Sequence, residues 1–187
     1  MFVSVEGLDG SGKTTASKIV ADMIRSQGKD LLLIEHPGDG FLGRSCKRFL
    51  TKEGIPASLA AAAFLSAEMF LSSFRIRKSE NSLVVRYTLS AYYLPDPVAK
   101  PIFRMFSAVM PVPDAIVFID LDPEIAVGRS ESRGKEREMF ENIGSMREIR
   151  EKILSVPGLI VVDGSGTPEK TAELIVEAIG KAPGNIF

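Results

Sequence analysis

The sequence has too few cysteine and histidine residues for a disulfide framework or a histidine-rich metal site. Its 187 residues include one cysteine, Cys46, and one histidine, His36. A single cysteine excludes both an intrachain disulfide bond and a metal cluster held by several thiolates. We expect Cys46 to be a small, partly buried apolar residue. A single histidine cannot build a zinc site of several imidazoles.

Long apolar runs and an excess of one charge are missing as well. No run of 18 apolar residues occurs, and Ser66 and Glu68 interrupt the apolar-rich stretch over 56–71, which favours a buried helix over a membrane span. The net charge of −1 provides no basic field that would attract nucleic acid or an anionic membrane. The first residues lead directly into a strand, without the basic segment of a signal peptide. We therefore expect a cytoplasmic protein that binds small molecules, and neither nucleic acid nor membrane.

A phosphate-binding pattern lies close to the amino end. Gly7, Gly12, Lys13 and Thr14 satisfy the P-loop motif G-x-x-x-x-G-K-[ST], between a strand over 2–6 and a run with helical periodicity. Glycines let the backbone curl so that several N–H groups face one anion, and the helix that follows adds the positive end of its dipole. Lys13 can bridge β- and γ-phosphate oxygens, and the Thr14 hydroxyl can bind Mg²⁺. A glycine-rich turn without a ligand is the alternative, but a chance match in this context is rare.

Apolar runs and helical periodicity alternate along the chain. Strands are predicted at 2–6, 31–34, 83–85, 115–119 and 159–162. Helices are predicted at 13–27, 42–52, 57–78, 98–110, 123–131 and 143–154, with a last helix that begins at Thr167-Pro168. This alternation predicts one α/β domain over 1–187, with a five-stranded parallel sheet covered by helices on both faces. Ligands bind at the carboxyl ends of such strands, which here are Gly7, Glu35, Arg86, Asp120 and Asp163.

Three stretches narrow the choice among P-loop proteins, since the guanine-reading motif N-K-x-D of GTPases is absent. Residues 6–15 read E-G-L-D-G-S-G-K-T-T. Residues 113–129 fit P-D-x-x-x-x-L-D-x-x-P-E-x-A-x-x-R, with Ile119 in place of the leucine. A charged segment follows Arg129 and reaches Phe140-Glu141. In this order the three stretches resemble the thymidylate kinases, in the nucleoside monophosphate kinase group of P-loop kinases. The first stretch matches the family motif E-G-x-D-G-x-G-K-T-T in full.

The resemblance implies a three-layer P-loop kinase fold and a phosphotransferase activity. In that family the γ-phosphoryl group of Mg²⁺-bound ATP moves to dTMP and gives dTDP, so ATP and Mg²⁺ are the implied cofactors and dTMP the implied small-molecule acceptor. Thymidylate kinases are commonly dimers. The apolar helix over 57–71 is therefore either the interface of a homodimer or a core helix.

The resemblance also assigns the charged segment, at about 130–142, to the family's lid, which closes over ATP. A lid must neutralise phosphate charge while it excludes water, so mobile cations are the required residue types. One subgroup has an arginine inside its P-loop where this chain has Ser11. The catalytic cation is therefore expected from the lid, as Arg133 or Arg137, with Lys135 as a further candidate.

Roles at the two substrates follow by the same resemblance. Arg86 binds the acceptor phosphate and acts in catalysis with Lys13, while adenine lies near Arg129 and residues 163–165. Asp9 approaches the sugar of the acceptor, and Thr14 holds the metal. The complete set of nucleotide-binding residues is Gly7, Asp9, Gly10, Ser11, Gly12, Lys13, Thr14, Thr15 and Arg129.

The acceptor half departs from the family pattern. Val85 replaces the aspartate before Arg86, which in the family helps to order Mg²⁺ and the acceptor. Glu35 and His36 replace the first two residues of the family's R-E-P-G, and His36 is either an acceptor-site group or a loop residue without a role. Met69 stands where an arginine meets the thymine ring.

These departures leave three hypotheses open. The leading one is a thymidylate kinase or a close relative. The second is a kinase of the same fold that acts on another nucleotide, a nucleoside or a small phosphorylated metabolite. The third is a nucleotide-binding protein with little kinase activity, for which Val85 is the reason. For the arginine lost at Met69, Arg75 or Arg77 is a candidate substitute from a different register of the helix.

Overall fold

The computed structural model describes residues 1–52, 54–132 and 142–181. The strands are β1 (Phe2–Gly7), β2 (Leu32–Glu35), β3 (Ser82–Val85), β4 (Ala115–Asp120) and β5 (Leu159–Asp163). The α-helices are α1 (Lys13–Ser26), α2 (Phe41–Leu50), α3 (Ile55–Lys78), α4 (Ala99–Val109), α5 (Pro123–Glu131), α6 (Ile143–Leu154) and α7 (Pro168–Gly180). Each predicted strand and helix is confirmed, with boundaries that differ by at most two residues.

One segment has a local structure that the sequence did not predict. Thr88–Tyr93 forms a 3₁₀ helix, where we expected a loop leading into a helix. Its sequence, T-L-S-A-Y-Y, has no apolar residue spacing that distinguishes a 3₁₀ helix from a loop. The segment is almost entirely buried, so its conformation depends on packing against the rest of the protein.

The strands form one parallel sheet in the order β2-β3-β1-β4-β5. β1 therefore lies in the middle, where Val5 is opposite Val85 of β3 on one side and Val117 of β4 on the other. Parallel strands need crossovers that carry helices, and the helices cover both faces. The predicted α/β class and the five-stranded parallel sheet are confirmed.

Alternate residues of the strands point to opposite layers of helices. Val117 and Ile119 belong to a buried cluster that contains residues of α1 and α7. Phe118, between them in sequence, packs in a second cluster with residues of α6 and of the 3₁₀ helix. Val84 of β3 packs in a third cluster that includes residues of α3 and α4. Each large apolar side chain buried in this way stabilises the fold by about 1.5–3 kcal/mol.

Helix α3 is unusual because it has apolar residues on its solvent-exposed side as well as on its buried side. Its segment Pro56–Lys78 is long and apolar enough to cross a membrane by length and composition alone, with a mean hydropathy of 1.4. Met69 and Ile76 are nevertheless buried in the protein core, and α3 packs along α2. Phe70, Leu71 and Phe74 are exposed on its outer side.

Candidate active site

The loop between β1 and α1 has the backbone of an anion-binding site. Gly10 and Gly12 have φ values of 88° and 84°, in the left-handed region that glycine adopts without strain. A Cβ at Gly10 would lie 2.0 Å from the carbonyl oxygen of Ala126, so α5 packs directly on this glycine. Helix α1 begins at Lys13 without a side-chain cap, which leaves its first N–H groups for a ligand.

The other predicted P-loop residues lie around this loop. Thr14 and Thr15 are exposed in the first turn of α1, where their hydroxyls are accessible. The hydroxyl of Ser11 is buried and lies against Gly7, at which a Cβ would come within 2.5 Å of that oxygen. Gly7 is thus needed for the close approach of the loop to the strand end.

Lys13 and Arg86 converge on the carboxylate of Asp9. The Nζ of Lys13 donates to the carbonyl oxygen of Leu8 at 3.0 Å and to Oδ1 of Asp9 at 3.1 Å. The guanidinium of Arg86 forms an ion pair with the same Oδ1. Burial by itself would raise the pKa of Asp9, but the charges of Arg86 and Lys13 outweigh it and lower the pKa to about 2. The structure thus brings together two cations predicted to bind different phosphate groups.

Arg86 follows β3 in a constrained position. Only 8% of the residue is exposed, and its φ of 63° is in the left-handed region, which is uncommon for a residue other than glycine. The centre of its guanidinium lies 5.0 Å from the centroid of the Tyr93 ring, close enough for a cation–π contact. The Tyr93 hydroxyl in turn donates to the carbonyl oxygen of Gly7 at 3.3 Å.

Glu6 is a functional candidate to which the sequence assigned no role. Its carboxylate is buried at the end of β1, where it accepts hydrogen bonds from the Ser4 hydroxyl and the backbone N–H of Tyr87, each at 2.8 Å. Burial raises the pKa of Glu6, while these two hydrogen bonds oppose that rise. An acidic residue in a continuous buried strand requires a buried partner, and this was the signal available in the sequence.

A small cavity of about 60 Å³ lies beside Arg86. Its lining is mostly apolar and includes Met69, which is fully buried, and Tyr93. The hydroxyl of Ser90 also lines it and has no hydrogen-bond partner among the described residues. Besides its apolar residues, the cavity wall thus contains Arg86 and four residues that bear hydroxyl groups, namely Ser58, Ser66, Ser90 and Tyr93.

Neither arginine suggested as a substitute at Met69 lines this cavity. Arg75 lines a separate groove between α3 and the loop after β2, together with Glu35 and Glu68. The guanidinium of Arg77 donates to the carbonyl oxygen of Val109 at 3.2 Å. The two arginines therefore lie away from the cavity that Met69 lines.

Three residues near Arg86 that differ from the family pattern have distinct surroundings. Val85 is buried between β1 and β2 in the sheet, so no carboxylate is available at that position. Glu35 lies 3.2 Å from the Nζ of Lys18 on α1. His36 is buried, and its Nδ1 lies 2.9 Å from the carbonyl oxygen of Arg86.

The residues expected near adenine are brought together. The guanidinium of Arg129, at the end of α5, donates to the carbonyl oxygens of Gly164 at 2.9 Å and of Ser165 at 3.0 Å. The carboxylate of Asp163 accepts from the backbone N–H and the hydroxyl of Ser165. Arg129 thus presents a flat, fixed guanidinium beside the turn after β5.

Most of the predicted lid, at about 130–142, lies outside the described residues. Arg133, Lys135, Arg137, Phe140 and Glu141 lie outside the described residues. The helices on either side are described: α5 ends at Glu131, and α6 begins after Asn142, whose side chain caps it by accepting from the Ser145 N–H at 2.8 Å.

A family model, curated proteins and a solved structure that are similar to this chain all concern thymidylate kinases. The thymidylate kinase family model matches residues 5–175. A protein of Archaeoglobus fulgidus named "Probable thymidylate kinase" is 28% identical over 194 residues, which cover 96% of this chain and 94% of that protein. A protein of the same name from Pyrobaculum aerophilum is 30% identical over 190 residues, 95% of each chain. The structure of thymidylate kinase from Candida albicans shares the fold, with a TM-score of 0.73 and 21% identity over 95% of this chain and 89% of that one.

Proposed function

The chain belongs to the thymidylate kinase family, and we propose that it transfers the γ-phosphoryl group of ATP to dTMP and forms dTDP. The observation that carries this proposal is the convergence of Lys13 and Arg86 on Asp9. One cation comes from the P-loop and the other from the end of β3. Two phosphate groups bound by these cations would lie next to each other, as a direct transfer requires.

The donor side fits the triphosphate of ATP. The uncapped start of α1, the curled loop and Lys13 supply N–H groups and positive charge, and Arg129 offers its guanidinium beside the turn at 163–165 for the adenine ring. These residues bind and orient the donor. The lid cations Arg133 and Arg137 are proposed to complete the charge around the transferring group.

A magnesium ion fits the donor side as well. Within the described residues, no group of three or more His, Cys, Asp or Glu side chains is placed to hold a metal ion by itself. Mg²⁺ commonly keeps phosphate oxygens and waters as most of its ligands, so the exposed hydroxyl of Thr14 is a suitable single protein ligand. When bound, the ion neutralises charge on the phosphate groups.

The reaction itself needs positioning more than proton transfer. An oxygen of the dTMP phosphate attacks the γ-phosphorus, and the bond from that phosphorus to the bridging oxygen of ADP breaks. The attacking oxygen is already ionised, so no general base is required. Arg86 is proposed to hold the acceptor phosphate in line, and the fixed positive charges stabilise the transition state.

We also propose that the protein forms a homodimer through α3. The rings of Phe70 and Phe74 lie 5.4 Å apart in an edge-to-face arrangement on its outer side, and 43% and 52% of these residues are exposed. Exposed aromatic side chains on a long apolar helix are typical of a protein–protein interface. Analytical ultracentrifugation of the protein and of a Phe70→Glu, Phe74→Glu variant tests this: the variant should be monomeric.

The activity is tested by incubating the protein with Mg²⁺, ATP and each of dTMP, dUMP, CMP, AMP and several nucleosides. We expect dTDP from dTMP at a rate at least tenfold above that of any other acceptor, with a kcat of order 1 s⁻¹ or more. A different preferred acceptor, or ATP binding without any product, would contradict the proposal.

A further inference from the structure

The backbone of Arg86 needs support from its surroundings. Its φ of 63° is unfavourable for a residue with a side chain, and such conformations persist only where neighbouring groups hold them. The conformation occurs where the chain leaves β3, just before the 3₁₀ helix Thr88–Tyr93. It allows the guanidinium to reach Asp9 at the carboxyl end of the sheet.

Two strands hold this residue from opposite sides. On the β1 side, the Arg86 N–H donates to the carbonyl oxygen of Val5 at 3.0 Å, and the following N–H, of Tyr87, donates to Glu6 at 2.8 Å. On the β2 side, Nδ1 of His36 lies 2.9 Å from the carbonyl oxygen of Arg86. His36 is thus the group on the β2 side that binds the carbonyl of this residue.

The direction of the His36 hydrogen bond follows from its partner. A carbonyl oxygen can only accept, so Nδ1 carries the proton. Nε2 lies 2.8 Å from the hydroxyl oxygen of Ser72 on α3, whose single proton has two acceptors within reach, Nε2 and the carbonyl oxygen of Glu68 at 2.9 Å. A neutral ring with its proton on Nδ1 requires this hydroxyl to donate to Nε2. Burial, together with the positive charge of Arg86, lowers the pKa of His36 to about 4, so the ring is neutral at pH 7 and has the single proton that this arrangement needs.

We infer that His36 is a positioning residue for the acceptor: its Nδ1–H fixes the carbonyl of Arg86 and thereby the direction in which the Arg86 guanidinium points. This inference rests on the proposed function, in which Arg86 binds the phosphate of dTMP. Both ring nitrogens of His36 are engaged by protein groups, and the residue is only 5% exposed, so it acts through Arg86.

Two variants separate the contributions of the two ring nitrogens of His36. His36→Asn keeps an N–H donor at the position of Nδ1, whereas His36→Gln places its amide near Nε2 and removes this donor from the Arg86 carbonyl. We expect His36→Gln to raise the KM for dTMP about tenfold or more, with the KM for ATP within twofold of the parent value. His36→Asn should stay within threefold for both substrates. Equal effects of the two variants, or equal effects on both substrates, would overturn the inference.

A double-mutant cycle with Arg86→Ala distinguishes a role of His36 in positioning Arg86 from general damage to the fold. If His36 acts through Arg86, adding His36→Gln to Arg86→Ala should change the Kd for dTMP, measured by calorimetry, by less than twofold. A further tenfold loss in the double variant would show an independent effect and contradict the inference. Thermal unfolding of each variant identifies any that fail to fold. If Arg86→Ala or the double variant does not fold, the comparison of His36→Asn with His36→Gln still tests the inference.

NMR of the imidazole gives a readout that is independent of dTMP phosphorylation. Since His36 is the single histidine of the sequence, its ring resonances need no assignment by mutation. We expect the proton on Nδ1 and slow exchange of that proton with solvent. A proton on Nε2 would overturn the role of His36 even in an active kinase. The Nδ1–H form in a protein without activity on dTMP would support the contact and contradict the proposed function instead.

Discussion

The carboxylate of Asp9 forms an ion pair with the guanidinium of Arg86, and this contact joins the P-loop to the residue that follows β3. A carboxylate inside an anion-binding loop opposes phosphate binding unless a cation or a hydroxyl balances it. Asp9 is balanced by Arg86 and Lys13 together. It therefore holds both cations at the site before substrates arrive, and phosphate groups must compete with it for them.

Replacing Asp9 by asparagine should therefore destabilise the protein without substrates. The change leaves the positive charges of Lys13 and Arg86 in a largely buried site without their carboxylate. We expect a loss of about 2–4 kcal/mol in the free energy of unfolding, measured in urea. Added ATP should recover part of this loss, since its phosphate groups replace the missing charge. Asp39→Asn, at an exposed ion pair with Lys47, is the control and should leave the urea midpoint unchanged.

The role of Lys13 is tested by its removal. Lys13→Ala should reduce kcat by several orders of magnitude, because the transferring phosphoryl group loses a fixed positive charge in a buried site. Lys18→Ala, on an exposed part of the same helix and paired with Glu35, is the matched control and should retain near-normal turnover. Steady-state kinetics with saturating dTMP measure both variants. Near-normal turnover of Lys13→Ala would refute its role.

Acid should destabilise the protein through His36. Its pKa is lowered from 6.5 to about 4 by burial, so between these values the unfolded chain binds a proton that the folded chain does not. Stability is therefore fully present above pH 6.5 and is lost as the pH falls towards 4. The expected loss is about 3 kcal/mol.

The same titration of His36→Asn isolates this effect. Contributions of Asp9 and Glu6 to the pH dependence are common to both proteins and cancel in the difference. We expect the parent to lose about 3 kcal/mol more than His36→Asn between pH 7 and pH 4, measured by urea unfolding at each pH. Parallel curves for the two proteins would show that His36 titrates near its ordinary pKa.

Gly10 should tolerate no side chain. A Cβ there would lie 2.0 Å from the carbonyl oxygen of Ala126, and the backbone has a φ of 88°. Gly28 has a similar φ of 76°, but a Cβ at that residue would have no heavy atom within 4 Å, so Gly28→Ala measures the backbone strain alone. We expect Gly10→Ala to be about 1–3 kcal/mol less stable than Gly28→Ala and to bind ATP more weakly. Thermal unfolding and calorimetry measure the two quantities.

The sequence predicted the sheet well because four of the five predicted strands, all except β1, are continuous apolar runs bounded by turn residues. The run over 115–119 is an example, since a strand buried on both faces needs no polar alternation. The P-loop was predictable for a similar reason, because its motif combines local backbone needs with fixed spacing. In both cases the physical constraint acts within a few consecutive residues.

The acceptor side was less predictable because its contacts join distant parts of the chain. Asp9 and Arg86 are 77 residues apart, and His36 and Arg86 are 50 apart. No local pattern indicates that Met69 lines the cavity or that the Ser90 hydroxyl lacks a partner among the described residues. The resemblance identified which positions depart from the family, but the three-dimensional packing was needed to show what each replacement contacts.

The central place of β1 in the sheet has a consequence for synthesis of the protein. β1 acquires both neighbours only after β3, at Ser82–Val85, and β4, at Ala115–Asp120, have emerged from the ribosome. Until then the nascent chain carries an unpaired strand rich in valine and phenylalanine, with open hydrogen-bonding groups on at least one edge. A chaperone that covers this segment until β3 and β4 are available would keep it from pairing with other chains.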